Sequence, residues 1–178
     1  FSLDQIQRAV KTVLGLAQRL KDKTTLDDPI AEGLKPDDRE RYQTLYAEAR
    51  GSIAAPTAGL HFDAGVLAAL AAAGVTRVAV TLHVGYGTFK PVRVEEVAAH
   101  QVDPERFAIT PDAADAMARA RSRGGRVVAV GTTTTRALEH AARLGGGRVA
   151  AGTGAADLFI YPGHPGHPGH TFLAVDAL

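Results

Sequence analysis

Residues 124–144 read GGRVVAVGTTTTRALEHAARL, a stretch that predicts a strand feeding directly into a helix. Arg126 to Val130 is a short apolar run typical of buried strands, and a helical pattern follows it to about Leu144. The turn between them, GTTTTR, brings hydroxyls, free backbone N–H groups and a guanidinium to a helix N-terminus. Such a turn suits a carboxylate or a phosphate, although threonines there can equally serve only as caps.

The same alternation extends to both sides of this stretch. Further helices are predicted from Asp63 to Ala73 and from Thr110 to about Arg123, each with a capping side chain at its start. Strands are predicted at 77–84, 126–130, 157–161 and 171–175. This order favours an α/β fold: a layered sheet with mostly parallel strands flanked by helices, preceded by an amphipathic N-terminal helix.

The N-terminal part has a different pattern. Residues 1–23 predict an amphipathic helix with a heptad-like stripe of Leu3, Ile6, Val10, Val13, Ala17 and Leu20. This helix either docks on its own domain or pairs with a second copy, so a homo-oligomer stays an open alternative. Residues 24–38 predict a linker, and residues 39–178 predict the α/β domain.

Composition excludes several classes of protein. The chain has 178 residues, of which 46% are hydrophobic and 22% charged, as in a globular protein. Its net charge of +1 argues against a generally polycationic nucleic-acid binder. Without cysteine there is no disulfide, thiol nucleophile or zinc–thiolate site, which fits a cytoplasmic location. No apolar run is long enough to predict a membrane span.

Two histidines are the candidate acid/base groups, because imidazole titrates near neutrality. His83 lies on the predicted strand and is followed by Gly85-Tyr86-Gly87, where glycines let the backbone approach a ligand closely. His61 ends the turn PTAGLH, which also contains Thr57. The spacing does not indicate whether the two histidines meet.

Two further patterns have an ordinary structural interpretation. Histidines recur at every third position in GHPGHPGH, at His164, His167 and His170. A polyproline conformation would align them on one edge, but a surface loop is favoured over a metal site. Four arginines, Arg119, Arg121, Arg123 and Arg126, could contact nucleic-acid phosphates. A solvated helix end is the favoured interpretation of that group.

Several long segments resemble the S-adenosylmethionine:tRNA ribosyltransferase-isomerases of queuosine biosynthesis. They are DRERYQTLYAEARGSIAAPTAGLHF (38–62), VTLHVGYGTFKPVRVE (80–95), GGRVVAVGTTTTRALE (124–139), DLFIYPG (157–163) and FLAVDAL (172–178). Several motifs in family order are more specific than any single glycine-rich loop. The resemblance covers roughly residues 34–178 and leaves residues 1–33 outside it.

The resemblance implies an unusual reaction. The ribosyl part of S-adenosylmethionine is transferred to an aminomethyl-deazaguanine at the tRNA wobble position and rearranged, which gives epoxyqueuosine and releases adenine and methionine. The expected partners are S-adenosylmethionine, consumed as a cosubstrate, and the tRNA anticodon stem-loop, with no metal.

The resemblance also suggests roles for individual residues. His83 is the first choice as base and His61 the second, and Asp176 is a candidate for the ribose diol or for capping a local turn. The expected substrate-binding residues are Tyr42, Gln43, Thr57, Gly85, Gly87, Thr132, Thr133, Thr134 and Arg136. Within this set, the threonines and Arg136 would take the methionine carboxylate, whereas Tyr42 and Gln43 would contact a base.

Family members also carry an inserted β-barrel and continue beyond the DAL sequence, and this chain is expected to lack both. Two alternatives to the full activity therefore stay open. One is a shortened or repurposed domain that binds tRNA or S-adenosylmethionine without turnover. The other is an enzyme of the same fold that acts on a small amine.

Overall fold

The computed structural model describes residues 43–52, 54–85, 92–163 and 168–178, and Thr44–Leu178 form one compact unit. Several predictions lie outside the described residues. They concern the helix at 1–23, the linker at 24–38, Tyr42, Gly87, His164 and His167.

The described residues form a small antiparallel sheet. Its strands are β1 (Thr81–His83), β2 (Glu105–Ile109) and β3 (Gly152–Ala156), in the order β1-β2-β3. Both pairings are antiparallel, with Leu82 opposite Phe107 and Phe107 opposite Gly154. The prediction of a layered, mostly parallel sheet is therefore wrong.

The error has a physical cause in strand pairing. Of the predicted strand at 126–130, Val128 alone pairs, in a single parallel bridge to Ala177. The segments 157–161 and 171–175 form no strand, whereas β2 and β3 were not predicted. β3 reads GTGAA, which has little intrinsic strand preference. Its Gly154 is needed nonetheless, because a Cβ there would lie 2.7 Å from the Phe107 ring.

The three longer helices of the described residues agree with the sequence predictions. They are α1 (Ala64–Ala72), α2 (Pro111–Ser122) and α3 (Thr132–Leu144). Asp63 caps α1 by accepting from the Val66 N–H at 2.7 Å, and Thr110 caps α2 by accepting from the Ala113 N–H at 3.2 Å. Short 3₁₀ helices span Thr57–His61 and Val97–Ala99. None of the described helices is long and apolar enough to cross a membrane.

The core lies between β2, α2 and α3. Its residues are mostly small, so the elements pack closely. They include Phe107, Ile109, Ala113, Met117, Val127, Ala129, Ala137, Leu138, Ala142 and Val175. Helix α1 contributes no buried residue. The core thus fixes α3 and the segment before it, which together form one wall of a cleft.

Candidate functional site

A cleft of about 550 Å³ opens where two turns of the chain meet. One wall is the segment around the 3₁₀ helix Thr57–His61, and the other is the segment that enters α3. The lining residues are Ala55, Pro56, Thr57, Ala58, His61, Phe62, Val84, Val128, Ala129, Val130, Gly131, Thr132, Thr133, Thr134 and Leu178. Two segments quoted from the sequence for their chemistry, PTAGLH and GTTTT, therefore share one site.

Glycine permits this close approach. Gly131 has φ +94° and ψ 153°, a backbone conformation that residues with a Cβ hardly adopt. A Cβ at Gly131 would also lie 3.2 Å from the Ala58 Cβ, tighter than ordinary van der Waals contact. On the opposite wall, a Cβ at Gly59 would overlap the Tyr46 hydroxyl and the Thr44 side chain. Larger residues at 59 or 131 would push the walls away from their neighbours.

Tyr46 supports the first wall from behind. Burial raises the pKa of its hydroxyl. The positive charge of Arg77 lowers that pKa by less, so the pKa is raised overall. The phenol therefore stays neutral near pH 7, as befits a group that packs against Gly59.

The N-terminus of α3 faces the cleft without a side-chain cap. Its N-cap residue is Gly131, which has no side chain to accept from the first-turn N–H groups. The hydroxyls of Thr134 and Thr135 donate backwards, to the carbonyls of Val130 at 2.8 Å and Gly131 at 3.1 Å. The positive end of the helix dipole is thus directed at the cleft, which favours an anion such as a carboxylate.

The structure separates the two candidate histidines. His61 lines the cleft together with Thr57 and the threonines of α3. His83 does not line it, although the next residue, Val84, does. Successive residues of an extended chain point to opposite sides, which accounts for this difference.

The imidazole of His83 packs on Gly51 instead. A Cβ at Gly51 would lie 2.8 Å from the His83 Nδ1. That nitrogen is buried and has no hydrogen-bond partner among the described residues.

Two hydrogen bonds fix the chain directly after His83. The Ser52 hydroxyl accepts from the Val84 N–H at 2.8 Å, and the Glu105 carboxylate accepts from the Gly85 N–H at 3.1 Å. Gly85, predicted to bind substrate, is therefore held by β2. Sequence reasoning missed Glu105, although its alternation with the apolar residues Phe107 and Ile109 was a signal that it lies on the buried face of a strand.

Arg136 has partners on the sheet and does not line the cleft. Its guanidinium donates to the Glu105 carboxylate at 3.1 Å. It also donates to the carbonyls of Leu158 at 3.0 Å, Ala156 at 3.1 Å and Asp103 at 3.4 Å. In this structure Arg136 joins α3 to the ends of β2 and β3, and its contact with a carboxylate ligand stays a prediction.

Asp176 also serves the surrounding chain. Its carboxylate accepts from the Val127 N–H at 2.7 Å and pairs with Arg121 at 3.3 Å. These bonds hold the C-terminal segment beside the strand-like residues that precede α3. Leu178, two residues further on, lines the cleft. Gln43, the remaining described candidate, is exposed and precedes the unit Thr44–Leu178.

Glu139 is the second important residue that sequence reasoning missed. It is fully buried and accepts four hydrogen bonds, at 2.8–3.0 Å, from the N–H groups of Leu173, Ala174 and Val175 and from His170. Burial by itself would raise the pKa of this carboxyl, but the four donors outweigh it and lower that pKa. A glutamate on the buried stripe of α3 was the available signal.

One residue of the histidine repeat, His170, has a structural role. The His170 ring pairs with the Glu139 carboxylate at 3.0 Å, and the His170 backbone N–H donates to the Tyr161 carbonyl at 3.4 Å. Both bonds hold the C-terminal segment in place. In the part of the chain that the structure describes, no group of three or more His, Cys, Asp or Glu residues could hold a metal ion.

Comparison with known proteins gives a consistent result. The family model described as "Queuosine biosynthesis protein" matches residues 6–178, so the similarity extends well into the N-terminal stretch that the quoted motifs left out. The chain is 51% identical over 177 residues to the S-adenosylmethionine:tRNA ribosyltransferase-isomerase of Anaeromyxobacter sp. (strain Fw109-5), covering 99% of this chain and 48% of that protein.

Similar matches come from other bacteria. The proteins of the same name from Cupriavidus pinatubonensis and Geobacter sulfurreducens are 55% and 54% identical over 141 residues. This chain covers 38% and 39% of these two proteins, and it spans about half the length of the Anaeromyxobacter relative. The family model spans both walls of the cleft, and the chain belongs to the queuosine biosynthesis protein family.

Proposed function

We propose that this chain acts in S-adenosylmethionine:tRNA ribosyltransferase-isomerase chemistry. The ribosyl group of S-adenosylmethionine is transferred to the aminomethyl-deazaguanine at the tRNA wobble position and isomerised, and adenine and methionine leave. The names of relatives that match 99% of this chain support the proposal. S-adenosylmethionine is consumed, and a tRNA substrate places the activity in the cytoplasm.

The observation that carries the proposal is the meeting of the PTAGLH and GTTTT turns at one cleft. The uncapped N-terminus of α3 suits the carboxylate of the methionine moiety. Apolar lining residues, among them Phe62, Val84 and Leu178, suit the adenine ring and the aliphatic part of the cosubstrate.

The chemistry needs a base near the sulfonium. The positive sulfur acidifies the adjacent ribose 5′ carbon, and a base must take that proton. Methionine leaves with the electron pair of the C5′–S bond, and adenine leaves with that of its glycosidic bond and takes up a proton. The aminomethyl nitrogen forms the bond to the ribosyl group and loses one proton, and a new bond within the sugar completes the isomerisation. The position of His61 in the cleft supports this residue as the acid/base group, ahead of His83.

Adenine release tests this proposal. The full chain is incubated with S-adenosylmethionine and tRNA that carries the aminomethyl-deazaguanine, and adenine is quantified by chromatography. The matched control is the same tRNA with guanine at the wobble position. Adenine formed only with the modified tRNA is the expected result. Binding of S-adenosylmethionine without adenine would favour a domain that binds without turnover.

The two histidines form a matched pair of variants. We expect H61A to lower turnover by about 10²-fold or more, because loss of a general acid/base typically costs that much. H83A tests the ranking that the sequence suggested. Near-normal turnover in H61A together with a large loss in H83A would return the base role to His83.

A further inference from the structure

The charges of α2 and the turn after it are strongly segregated. The acidic residues Asp112 and Asp115 lie in the first half of the helix. From residue 116 to residue 126 the sequence reads AMARARSRGGR, with four arginines and no acid. Two arginines in the last turn would already complement the helix dipole. Arg123 at the C-cap and Arg126 beyond it exceed that need.

Among the described residues, one of these arginines has an ion-pair partner and three have none. Arg121 pairs with Asp176. Arg119, Arg123 and Arg126 are exposed and form no ion pair with any residue of the described ranges. We call these three residues the α2 arginine surface. Guanidinium groups without an acidic partner are suited to phosphate, which they bind in a planar, bidentate manner.

The chain connects this surface directly to the cleft. Arg126 precedes Val127, whose N–H and carbonyl both bond Asp176. Val128, which lines the cleft, follows at about 7 Å from Arg126 in an extended chain. The Arg121–Asp176 pair joins α2 to the same two segments. A polyanion that enters the cleft with one base would therefore have neighbouring phosphates near these arginines.

We propose that the α2 arginine surface contacts the sugar–phosphate backbone of the tRNA whose base enters the cleft. The identity of this partner rests on the proposed function. The place of the contact on the protein is supported by two observations, the segregation of charge along α2 and the short chain connection from Arg126 to the cleft. Phosphate contacts fix the position of a nucleic acid without reading its sequence, so the surface orients tRNA and leaves selection to the cleft.

The test is a titration of the full chain with labelled tRNA at several salt concentrations. The variant R119Q/R123Q removes two charges from one helix face. The control R143Q/R148Q removes two exposed arginines near the far end of α3. We expect the α2 variant to bind roughly 10- to 40-fold more weakly at 0.1 M salt, with a log–log salt slope about 1.5 smaller, since each lost phosphate contact lowers it by 0.7–0.9.

The outcomes separate this proposal from the proposed function. R119K/R123K, which keeps the charges, should recover most of the binding, and R126Q should weaken the R119Q/R123Q variant further. If wild-type protein binds tRNA, and R119Q/R123Q binds it as tightly as the control R143Q/R148Q, the proposed role of the α2 arginine surface is wrong while tRNA remains the partner. If wild-type protein does not bind tRNA, the surface and the tRNA partner are both overturned.

Discussion

The first and second turns of helix α3 use their polar residues for opposite purposes. In the first turn, Thr132–Thr134 line an open cleft and the N-cap glycine offers no capping side chain. In the following turns, Arg136 and Glu139 each make four hydrogen bonds to the surrounding chain. One helix therefore directs its uncapped first-turn N–H groups towards the cleft and its hydrogen-bonded charged side chains towards the core. Groups left without protein partners are available for a ligand.

The largest expected effect comes from removing the Glu139 carboxylate. E139A leaves three N–H groups, two of them buried, and His170 without their acceptor, and each buried unsatisfied donor costs about 1–3 kcal/mol. With some relaxation, we expect the free energy of unfolding to fall by about 4 kcal/mol. Urea denaturation followed by far-ultraviolet circular dichroism measures it. As a control, R143A changes an exposed residue of the same helix, and its free energy of unfolding should stay within about 0.5 kcal/mol of wild type. Equal losses in the two variants would contradict a stabilising role for the hydrogen bonds of Glu139.

Breaking the Arg136–Glu105 pair should cost slightly less. R136M leaves the buried Glu105 carboxylate without its guanidinium, and we expect a loss of about 3 kcal/mol. The same denaturation assay on E105Q and on R136M/E105Q completes a double-mutant cycle. The double variant should lose less than the sum of the single losses. Strict additivity would mean that the two side chains do not interact energetically.

Acid should remove the Glu139 contribution. The pKa of this carboxyl is lower in the folded protein than its ordinary value of 4.5, so its ionised form stabilises the fold. That stabilisation is complete above the ordinary pKa and is lost as pH falls through the lowered folded pKa. The difference in unfolding free energy between wild type and E139Q should therefore shrink between pH 6 and pH 3. A difference that grows towards low pH would mean that folding raises the pKa of Glu139 instead of lowering it.

The smallest effect on stability is expected from a substitution at Gly131, which should in addition weaken ligand binding at the cleft. G131A places a Cβ in a conformation suited to glycine and 3.2 Å from Ala58, so we expect a loss of about 1–3 kcal/mol. G147A is the matched control, because Gly147 has a similar φ of 92° and open space around it. Binding of S-adenosylmethionine, measured by calorimetry, should weaken in G131A and not in G147A. Equal binding in both would show that the approach of the two walls does not matter.

Sequence reasoning succeeded where the signal was local. Asp63 and Thr110 mark the starts of α1 and α2, and the GTTTT turn marks the start of α3. A cap lies next to the helix that it begins, so neighbouring residues contain the information. The motifs that indicated the family are also local, and the family match confirms them.

The same reasoning was wrong for the strands, and it did not predict the partners of the buried charged residues. The pairing of β3 with β2 depends on a glycine that accommodates Phe107, some 47 residues away in the chain. Arg136 was expected at the ligand because it follows the threonines, yet its partners lie on β2 and after β3. Neither contact can be derived from spacing, because each requires knowing which distant segments meet.

The sequence by itself determined the three longer helices of the described residues, the two turns that carry polar groups, and the family. These follow from dihedral preferences, caps and motif order, which act over a few residues. The tertiary structure alone decided that the sheet is antiparallel, that His61 rather than His83 lines the cleft, and that Glu105 and Glu139 hold the fold. Burial creates these differences, since a buried charge needs a partner and that partner comes from whichever segment packs against it.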